Sequence, residues 1–466
     1  MKFQRAVWIL VIFISSSMVT EGGISFAASI DYGGRNDRTV YLSLEKAVEL
    51  ALKNNRNLQT TRRQLSLAAS QYRSAKAQYY PQIVGALTTS QSVFNQVNGD
   101  PSVLELYSGG ATLGLDLPLD LSGAIGRSVQ QALITLISSK AQYILSGQDL
   151  IVLVYDQYYR ILSDRETIEI DKAQVAIAEQ QLEIAKARLK TGRVAEVDVM
   201  TAKVQLNNNK QNLKVDEGNY QIAMANLRNI LVLPQNVEII ATDHLKYSPE
   251  RFDYDSSIKN ALHDRLEMKV ARLNIKSAQL ALKSTYDPYR PSLNVSANYN
   301  YNISGNSIGE AIENRPDEPS WAVTTSLRIP LFIFDGGNIR ETKTRALTNI
   351  GQAEANLLQT KEAIELEVRN ELTNLENAQE RVKLVQDTIT LAKESLRITE
   401  RRYRMGVASY LELVDARNNL RTAELNLLDA LITHSTSIIR MRRAIGQPLV
   451  TSNNDIETEV KSTKEE

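Results

Sequence analysis

The sequence contains no cysteine and only three histidines among its 466 residues. The absence of cysteine excludes disulfide frameworks, thiolate metal sites, cysteine nucleophiles and an N-terminal lipid anchor on cysteine. The three histidines, His244, His263 and His434, lie far apart in the chain. A histidine-based metal site or catalytic triad is therefore not expected. No other spacing of nucleophile and base, or of metal ligands, points to an enzyme or to a bound cofactor.

Residues that break secondary structure are scarce, and the chain has no net charge. Glycine and proline number 21 and 11, below their average usage, which predicts long uninterrupted elements. The 54 basic residues are matched by 54 acidic ones. Because nucleic-acid binding needs a basic surface that neutralises phosphates, this balance argues against a nucleic-acid partner.

The first residues have the pattern of an export signal. Two basic residues precede a mostly apolar stretch at 6–19, and Ser25 and Ala27 are small residues suited to a cleavage site. The pattern predicts a signal peptide over 1–27. A membrane anchor is the alternative, but about 14 apolar residues fall short of the roughly 20 that span a bilayer. No later apolar segment is long enough to span one as a helix, so we expect an exported chain without membrane helices.

Two long segments, 124–190 and 338–404, lack proline and have a seven-residue hydrophobic repeat. The repeat positions are Val154, Ile161, Ile168, Val175, Leu182 and Leu189 in the first segment, and Val368, Leu375, Val382, Ile389, Leu396 and Tyr403 in the second. The repeat predicts two coiled-coil helices of roughly 100 Å each. An ordinary helical hairpin core would give the same periodicity. Shorter helices are expected at about 44–79, 194–231, 256–286 and 408–445.

The second half of the chain repeats the first after a shift of 214 residues, which places Gly192 on Gly406. Such a duplication predicts two structural repeats, each with the order helix, strand, strand, long helix, turn, helix. The expected divisions are a first repeat at 28–257, its equatorial segment at about 232–257, a second repeat at 258–446, and a disordered tail at 447–466.

Between the short and long helices of each repeat, apolar and polar residues alternate. The alternation predicts four strands, at about 82–96, 110–119, 292–303 and 320–332. Tilted strands of this length can span a bilayer, and one apolar face with one polar face is typical of transmembrane barrels. A soluble sheet with one wet face is the alternative. Because four strands cannot close a barrel, and an open sheet edge is not viable in lipid, we expect a barrel shared between chains.

Aromatic side chains cluster where the predicted strands meet the helices. They are Tyr79, Tyr80, Tyr286, Tyr289, Phe332 and Phe334. Aromatic girdles mark the membrane–water interfaces of transmembrane barrels. We therefore expect these six residues to lie at a membrane interface.

A duplicated motif joins each long helix to the helix that follows it. The motif reads AKARLKTGRVAEVDVMTAKVQLNNNKQNL at 185–213 and TERRYRMGVASYLELVDARNNLRTAELNL at 399–427. Both copies resemble the TolC family of outer-membrane efflux proteins, as do LSLEKAVELALKNN at 42–55 and LRIPLFIFDGG at 327–337. The resemblance covers about 42–448, almost all of the expected mature chain.

The resemblance implies a mainly α protein with a transmembrane β part. It implies a homotrimer whose three chains form a 12-stranded barrel in outer-membrane lipid, continued by a long α-helical coiled-coil barrel across the periplasm. It also implies an exit duct of a tripartite efflux pump, a passive conduit for small molecules served by a periplasmic adaptor and an inner-membrane pump. A type I protein-secretion duct is the alternative within the family, and a coiled-coil envelope scaffold without a pore is the alternative outside it. The sequence leaves open the substrate and whether the pump is proton-driven or ATP-driven.

Three acidic residues fall on the family's gate positions in the two motifs, namely Asp198, Glu412 and Asp415. The resemblance implies a carboxylate ring that narrows the periplasmic end of the tunnel. Helix capping is the alternative, because Ser409 and Glu412 fit a capping box. Some family members latch the tunnel with an arginine at the position of Ala408, and Arg193 is the candidate to replace it.

The turns between the long and following helices are the predicted docking tips. They comprise Thr191, Gly192 and Arg193 in the first repeat, and Met405, Gly406 and Val407 in the second. The resemblance implies that the adaptor docks there, with Arg193 and Arg404 able to donate charge-assisted hydrogen bonds. The structural alternative is that each glycine simply ends a helix with a positive φ.

Overall fold

The computed structural model describes residues 39–95, 103–192, 194–305, 307, 310, 319–331 and 334–449. In these ranges the chain forms eight α-helices and six strands. The helices are α1 (Leu44–Asn54), α2 (Arg56–Ala77), α3 (Ala124–Lys190), α4 (Glu196–Leu231), α5 (Tyr254–Asp264), α6 (Leu266–Ser284), α7 (Asn338–Arg404) and α8 (Tyr410–Ala444). The strands are β1 (Thr39–Leu42), β2 (Gln82–Asn95), β3 (Val103–Leu119), β4 (Glu238–Ala241), β5 (Ser292–Gly305) and β6 (Ser320–Arg328).

The two long helices begin and end at the residues expected from the sequence. Helices α3 and α7 are both 67 residues long, and α7 lies 214 positions after α3. Each follows a glycine with positive φ, Gly123 or Gly337, and each ends one residue before a short turn. Heptad residues such as Val154, Val368 and Val382 are fully buried, because the repeat faces the partner helix.

The two shorter helical segments before the strands are each broken, where the sequence predicted one helix at 44–79 and one at 256–286. The first breaks at Asn55, whose backbone is extended and whose side-chain oxygen accepts from the N–H groups of Asn57 and Leu58. The second breaks at Arg265, also extended, whose buried guanidinium pairs with Glu267. The same guanidinium also pairs with Glu367 of α7, 102 positions later in the chain. Capping and a tertiary ion pair thus override the helical pattern.

The four expected strands form one antiparallel sheet in the order β2–β3–β5–β6. Strand β3 begins at Val103, earlier than the predicted 110, because Gly109 and Gly110 lie inside the strand rather than in a turn. Strand β6 ends at Arg328, earlier than the predicted 332, and Pro330 follows without a backbone N–H. The predicted strand end at Phe332 lies outside the described residues, as do the signal peptide at 1–27 and the tail from 450 onward.

A second, two-stranded sheet was not expected from the sequence. Strand β1 pairs in parallel with β4, from Thr39 opposite Glu238 to Leu42 opposite Ala241. These strands cover the middle of α3, where Leu42, Val48, Ile151, Tyr158 and Ile239 share one core. The sheet joins the chain before α1 to the segment after α4 and so closes the first repeat.

The helices form two antiparallel hairpins that lie side by side. The first hairpin is α3 with α4, the second is α7 with α8, and α8 also packs against α3. Tyr410, at the start of α8, packs on the small apolar cluster of Ala178, Leu182 and Ala202 in the first hairpin. The ends of the two hairpins are therefore neighbours within one chain. No helix in the described ranges is long and apolar enough to cross a membrane.

Candidate functional site

The four-stranded sheet has one apolar and one polar face. Residues directly opposite each other in an antiparallel pair share a face. One row runs Ile83–Leu115–Ala297–Val323 across all four strands, and the row two residues along includes Leu113, Tyr299 and Trp321. Large apolar side chains on this face are exposed in the single chain, for example Ile83 (70%), Val323 (61%) and Trp321 (77%). A single chain therefore presents a broad apolar sheet surface that needs an apolar neighbour.

The opposite face of the sheet carries asparagines, serines and threonines. Asn298 and Asn302 of β5 reach over glycines of the neighbouring strand β3. A Cβ on Gly110 would lie 2.7 Å from Asn302 Oδ1, and one on Gly114 would lie 3.0 Å from Asn298 Oδ1. The glycines thus make room for the amide side chains of the neighbouring strand.

Two aspartates that the sequence analysis missed start the long helices directly after the sheet. Asp120 accepts from the N–H groups of Ile125 (3.2 Å) and Gly126 (2.9 Å). Asp335 accepts from the N–H of Ile339 (2.7 Å) and from the Tyr289 hydroxyl (2.6 Å). Each aspartate lies shortly before a glycine that precedes a long helix, and this local pattern would have identified both as caps.

The predicted interfacial aromatics lie at this same end of the sheet. Tyr79, Tyr80 and Phe334 are exposed, at 47%, 69% and 86%. Tyr286 lies just before the 3-10 turn Asp287–Tyr289, within which Tyr289 uses its hydroxyl to hold Asp335. Phe332 lies outside the described residues. Exposed rings at one end of an apolar sheet suit an interfacial position, which stays a prediction.

The two predicted docking tips form tight turns at the far ends of the hairpins. Gly192 and Gly406 have φ of 69° and 76°, and no atom of a described residue other than its chain neighbours lies within 4 Å of a Cβ placed on either glycine. Thr191 is exposed, and Met405 and Val407 are exposed to 70% and 66%. Arg193 lies outside the described residues. Both turns therefore have the positive φ that favours glycine. Met405 and Val407, on either side of Gly406, form an exposed apolar knob.

The three predicted gate acids lie just inside these tips, at the starts of α4 and α8. Asp198 is half-buried and accepts from the Ala195 N–H at 3.1 Å. Glu412 is exposed and forms the predicted capping box, accepting from the Ser409 N–H at 3.1 Å while the Ser409 hydroxyl accepts from the Glu412 N–H. Asp415 is exposed, and no described residue forms an ion pair or hydrogen bond with it.

Glu412 keeps its negative charge at neutral pH. Its hydrogen bond from the Ser409 N–H lowers the pKa of the Glu412 carboxyl, and Arg402 acts in the same direction from 3.6 Å. Arg402 lies in the last turn of α7, so this contact spans the second tip. Ala408, at the latch position, is buried and offers no charge. Capping therefore leaves Glu412 ionised and available for a second, electrostatic role.

A buried charge cluster that the sequence analysis also missed ties the two hairpins together. Asp171 of α3 is 1% exposed and receives a bidentate pair from Arg421 of α8, at 2.7 and 3.0 Å. Asp216 of α4 lies 3.8 Å from the same guanidinium. Burial and the neighbouring Asp171 raise the pKa of Asp216 to about 6, while Asn219 and Arg421 oppose the shift. The three residues come from distant parts of the chain, so no local sequence pattern identifies them.

We expect this cluster to make the protein more resistant to unfolding at pH 5 than at pH 7. The native state holds the Asp216 proton up to about pH 6, whereas an unfolded aspartate releases it near pH 4. The native state therefore binds the extra proton between these values, and its stability rises as the pH falls through this window. The thermal unfolding temperature of Asp216→Asn should be higher than that of the unchanged protein at pH 7. The difference between the unfolding temperatures at pH 5 and pH 7 should be much smaller in this variant. The half-buried neighbour Glu217, which pairs with Lys214 and not with Arg421, provides the control. Glu217→Gln should keep that difference, and an unchanged pH dependence in Asp216→Asn would contradict the assignment.

Comparison with known proteins finds one family over nearly the whole described chain. The model of a family described as outer membrane efflux protein matches residues 47–231 and 257–447. The probable efflux pump outer membrane protein TtgC of Pseudomonas putida is 23% identical over 418 residues, 87% of this chain and 83% of the relative. The outer membrane protein TolC of Escherichia coli is 22% identical over 337 residues, 69% of this chain and 67% of the relative.

Solved structures share the fold. The CmeC outer membrane channel of Campylobacter jejuni superimposes with a TM-score of 0.74 at 19% identity, over 89% of this chain and 88% of that one. The outer membrane protein VceC of Vibrio cholerae gives 0.72 at 17% identity, over 87% and 97%. These similarities confirm the predicted fold class, a helical barrel with a β part.

Proposed function

This chain belongs to the outer membrane efflux protein family, and from that premise we propose that three copies form a passive exit duct for small molecules. The protein resides in the outer membrane, with its helical part in the periplasm. The observation that carries the proposal is the four-stranded sheet with a continuous apolar face and a polar face. Lipid outside and water inside is the arrangement that suits such a sheet.

The edges of the sheet require further copies of the chain. Within the described residues β2 and β6 each pair on one side only, so each leaves a row of backbone groups unpaired. Such a row is not viable in lipid, and closed transmembrane barrels have at least eight strands. We propose that β6 of one chain pairs with β2 of the next, and that three chains give twelve strands.

The hairpins supply the periplasmic part of the duct. At 67 residues, α3 and α7 are each about 100 Å long. They continue directly from the sheet through the caps at Asp120 and Asp335, so barrel and helices form one connected wall. We propose no enzymatic role for the chain, because its relatives are named as channels and as outer membrane components of efflux pumps. A periplasmic adaptor and an inner-membrane pump are the proposed partners, and the pump supplies the energy.

We place the gate at the tips of the hairpins, with Asp198, Glu412 and Asp415 as its charges. The proposal is supported by the position of Asp198 and Glu412 in the first turns of α4 and α8, and by that of Asp415 one turn further along α8. It is also supported by the exposure of Glu412 and Asp415, because an exposed carboxylate at a narrow opening concentrates cations. Three chains would bring nine carboxylates to one opening.

The gate is tested by removing these charges without removing the caps. We expect Asp198→Asn, Glu412→Gln and Asp415→Asn together to lower the cation-to-anion permeability ratio of the channel several-fold, measured from reversal potentials in planar bilayers. The amides keep an acceptor oxygen for the Ala195 and Ser409 N–H groups, so helix starts are preserved. As a matched control, Glu169→Gln, Glu362→Gln and Glu376→Gln remove three exposed carboxylates that lie along α3 and α7, far from the tips. Equal cation-to-anion permeability ratios in the two triple variants would contradict a role of these acids in the gate.

A further inference from the structure

Helix α7 is apolar on two of its sides. One side is buried, and its Leu375 shares a core with Met441 of α8. The other side has a second set of apolar residues spaced by seven, the α7 stripe, which faces solvent in the single chain. Its members Leu384, Leu391 and Ile398 are exposed to 59%, 72% and 47%. Because an apolar heptad repeat is the pattern of a helix that packs on another helix, the α7 stripe needs a helical partner that the single chain does not provide.

Helix α4 has a similar exposed side. Its buried side packs on α3, where Ala202 and Leu206 share a core with Ala178. The α4 stripe lies on the side away from α3, and each of its members is more than half exposed, namely Val197, Val204, Val215 and Ile222. They recur after seven or eleven residues, close to two and three whole turns, so they share one face of the helix.

Helices α4 and α7 lie on opposite sides of the chain. Helix α4 packs on α3, α3 packs on α8, and α8 packs on α7. Nearer the sheet, α2 also packs on α3, and α6 packs between α3 and α7. Helix α2 leads into the edge strand β2, and α7 follows the edge strand β6. The two stripes therefore lie on the same two sides of the chain as the sheet edges that need partner strands.

We propose that the α7 stripe packs on the α4 stripe of a second copy of this chain. This interface rests on the duct function proposed above and continues the pairing of β6 with β2 into the helical part. Helix α7 ends at the tips and α4 begins there, so the two helices pair antiparallel. Each chain offers one stripe on each side, so three copies close a ring with three identical helix pairs.

Contacts within one chain predict which residues meet. Asp216 of α4 lies 3.8 Å from Arg421 of α8. The neighbouring turns of α8 form ion pairs with α7 at Glu400 on one side and at Arg381 on the other, at 3.1 and 2.7 Å. Along the duct axis, Asp216 is therefore level with the part of α7 between these two residues, which is centred near Leu391.

The symmetry of the duct transfers this level to the next chain. A rotation about the duct axis leaves heights along the axis unchanged, so Val215 of one chain, beside Asp216, meets Leu391 of the next. Seven residues along each antiparallel helix, Ile222 meets Leu384. The largest apolar residues of the two stripes are thus brought together.

The charges beside the two stripes are complementary at this level. Lys214 flanks the α4 stripe, while Asp387 and Glu394 flank the α7 stripe, about one turn to either side of Leu391. The pairs that Lys214 and Glu394 form within their own helices are exposed, and such pairs contribute little. Equivalent flanking positions meet in an antiparallel pair, because a two-fold axis perpendicular to the helices relates them. The lysine of one chain therefore lies beside acids of the next.

The test is cross-linking of the purified full-length protein, which has no cysteine of its own. We expect Val215→Cys with Leu391→Cys to give covalently linked dimers and trimers on denaturing gels after treatment with a short bis-maleimide. The matched control is Val215→Cys with Lys393→Cys. Lys393 is also exposed but lies about 200° around α7 from Leu391, so this variant should give severalfold fewer linked chains. A link within one chain would leave only single chains on the gel.

The native mass of the same samples separates this interface from the duct. Particles of three chains that link no better than the control would overturn the helix pair and leave the shared barrel intact. The stripes would then face another occupant, such as the adaptor. Particles of one chain would overturn both the helix pair and the duct.

A second measurement compares how firmly the three chains hold together. Leu391→Asn with Ile398→Asn should lower the temperature at which the assembled protein separates into single chains. Both residues are exposed in the single chain, so its own packing is preserved. The control is Gln386→Asn with Lys393→Asn, two exposed residues on another side of α7, and it should separate at the temperature of the unchanged protein. Equal temperatures in the two variants would contradict the proposed interface.

Discussion

Val323→Arg is expected to remove the protein from the outer membrane, whereas Thr324→Arg is expected to leave it there. The two residues are neighbours on β6 but belong to opposite faces, since Val323 pairs with Ala297 and Thr324 with Ser296. An arginine facing lipid near the middle of the bilayer costs about 2–4 kcal/mol, and a barrel of three chains would incur it three times. An arginine facing the water-filled interior costs little. The measurement is the amount of assembled protein recovered from isolated outer membranes.

This pair separates the duct from a coiled-coil scaffold that has no barrel. A scaffold with a soluble sheet has no reason to reject a charge at Val323 more strongly than at Thr324. Equal recovery of both variants would therefore contradict a lipid-facing apolar face. Loss of both would also contradict it, because the polar face would then be as intolerant of charge as the apolar one.

Met405→Glu with Val407→Glu is expected to abolish transport in cells while leaving assembly and bilayer conductance intact. Both side chains are highly exposed at the second tip, so the substitutions disturb no packing inside the chain. An apolar knob at the end of a hairpin suits the docking of the adaptor at this tip, which the family resemblance implies. Two added charges on each tip would have to be desolvated at such a contact. Export is measured as resistance to a transported compound, and assembly as the native mass of the purified protein.

The matched control keeps the tip apolar, as Met405→Leu with Val407→Ile, and should transport normally. Gly192 and Gly406 are poorer probes, because both have positive φ, where other residues cost roughly 1–2 kcal/mol. A glycine variant would mix backbone strain with lost docking. If the acidic double variant exports as well as the apolar control, the adaptor does not contact this tip.

The long elements could be predicted from the sequence because their signals are repeated many times. The heptad pattern of α3 and α7 continues over five repeats in each helix. Because glycine and proline are scarce, few residues in these segments could end a helix. The alternation in β5 and β6 likewise predicted their faces. By contrast, single residues end the shorter helices. Asn55 and Arg265 act through caps and ion pairs that a helical pattern cannot show.

Contacts between distant parts of the chain could not be predicted. Strands β1 and β4 have four residues each, which is too short a pattern to recognise. They also lie about two hundred positions apart in the chain. The Asp171–Arg421 pair joins residues 250 positions apart. The three acids proposed for the gate were singled out only through the family motif, and two of them cap helices. The capping box of Ser409 and Glu412 could be predicted from their spacing, whereas the hydrogen bond from the Ala195 N–H to Asp198 could not.

The most direct test of the duct is the native mass of the protein extracted from outer membranes in mild detergent. We predict three chains in one particle, because among the described residues the outer edges of β2 and β6 have no partner strand and one face of the sheet is apolar and exposed. We also predict that this particle, and no smaller one, contains the folded sheet. A single chain that remains folded and stable in detergent would contradict a barrel shared between chains.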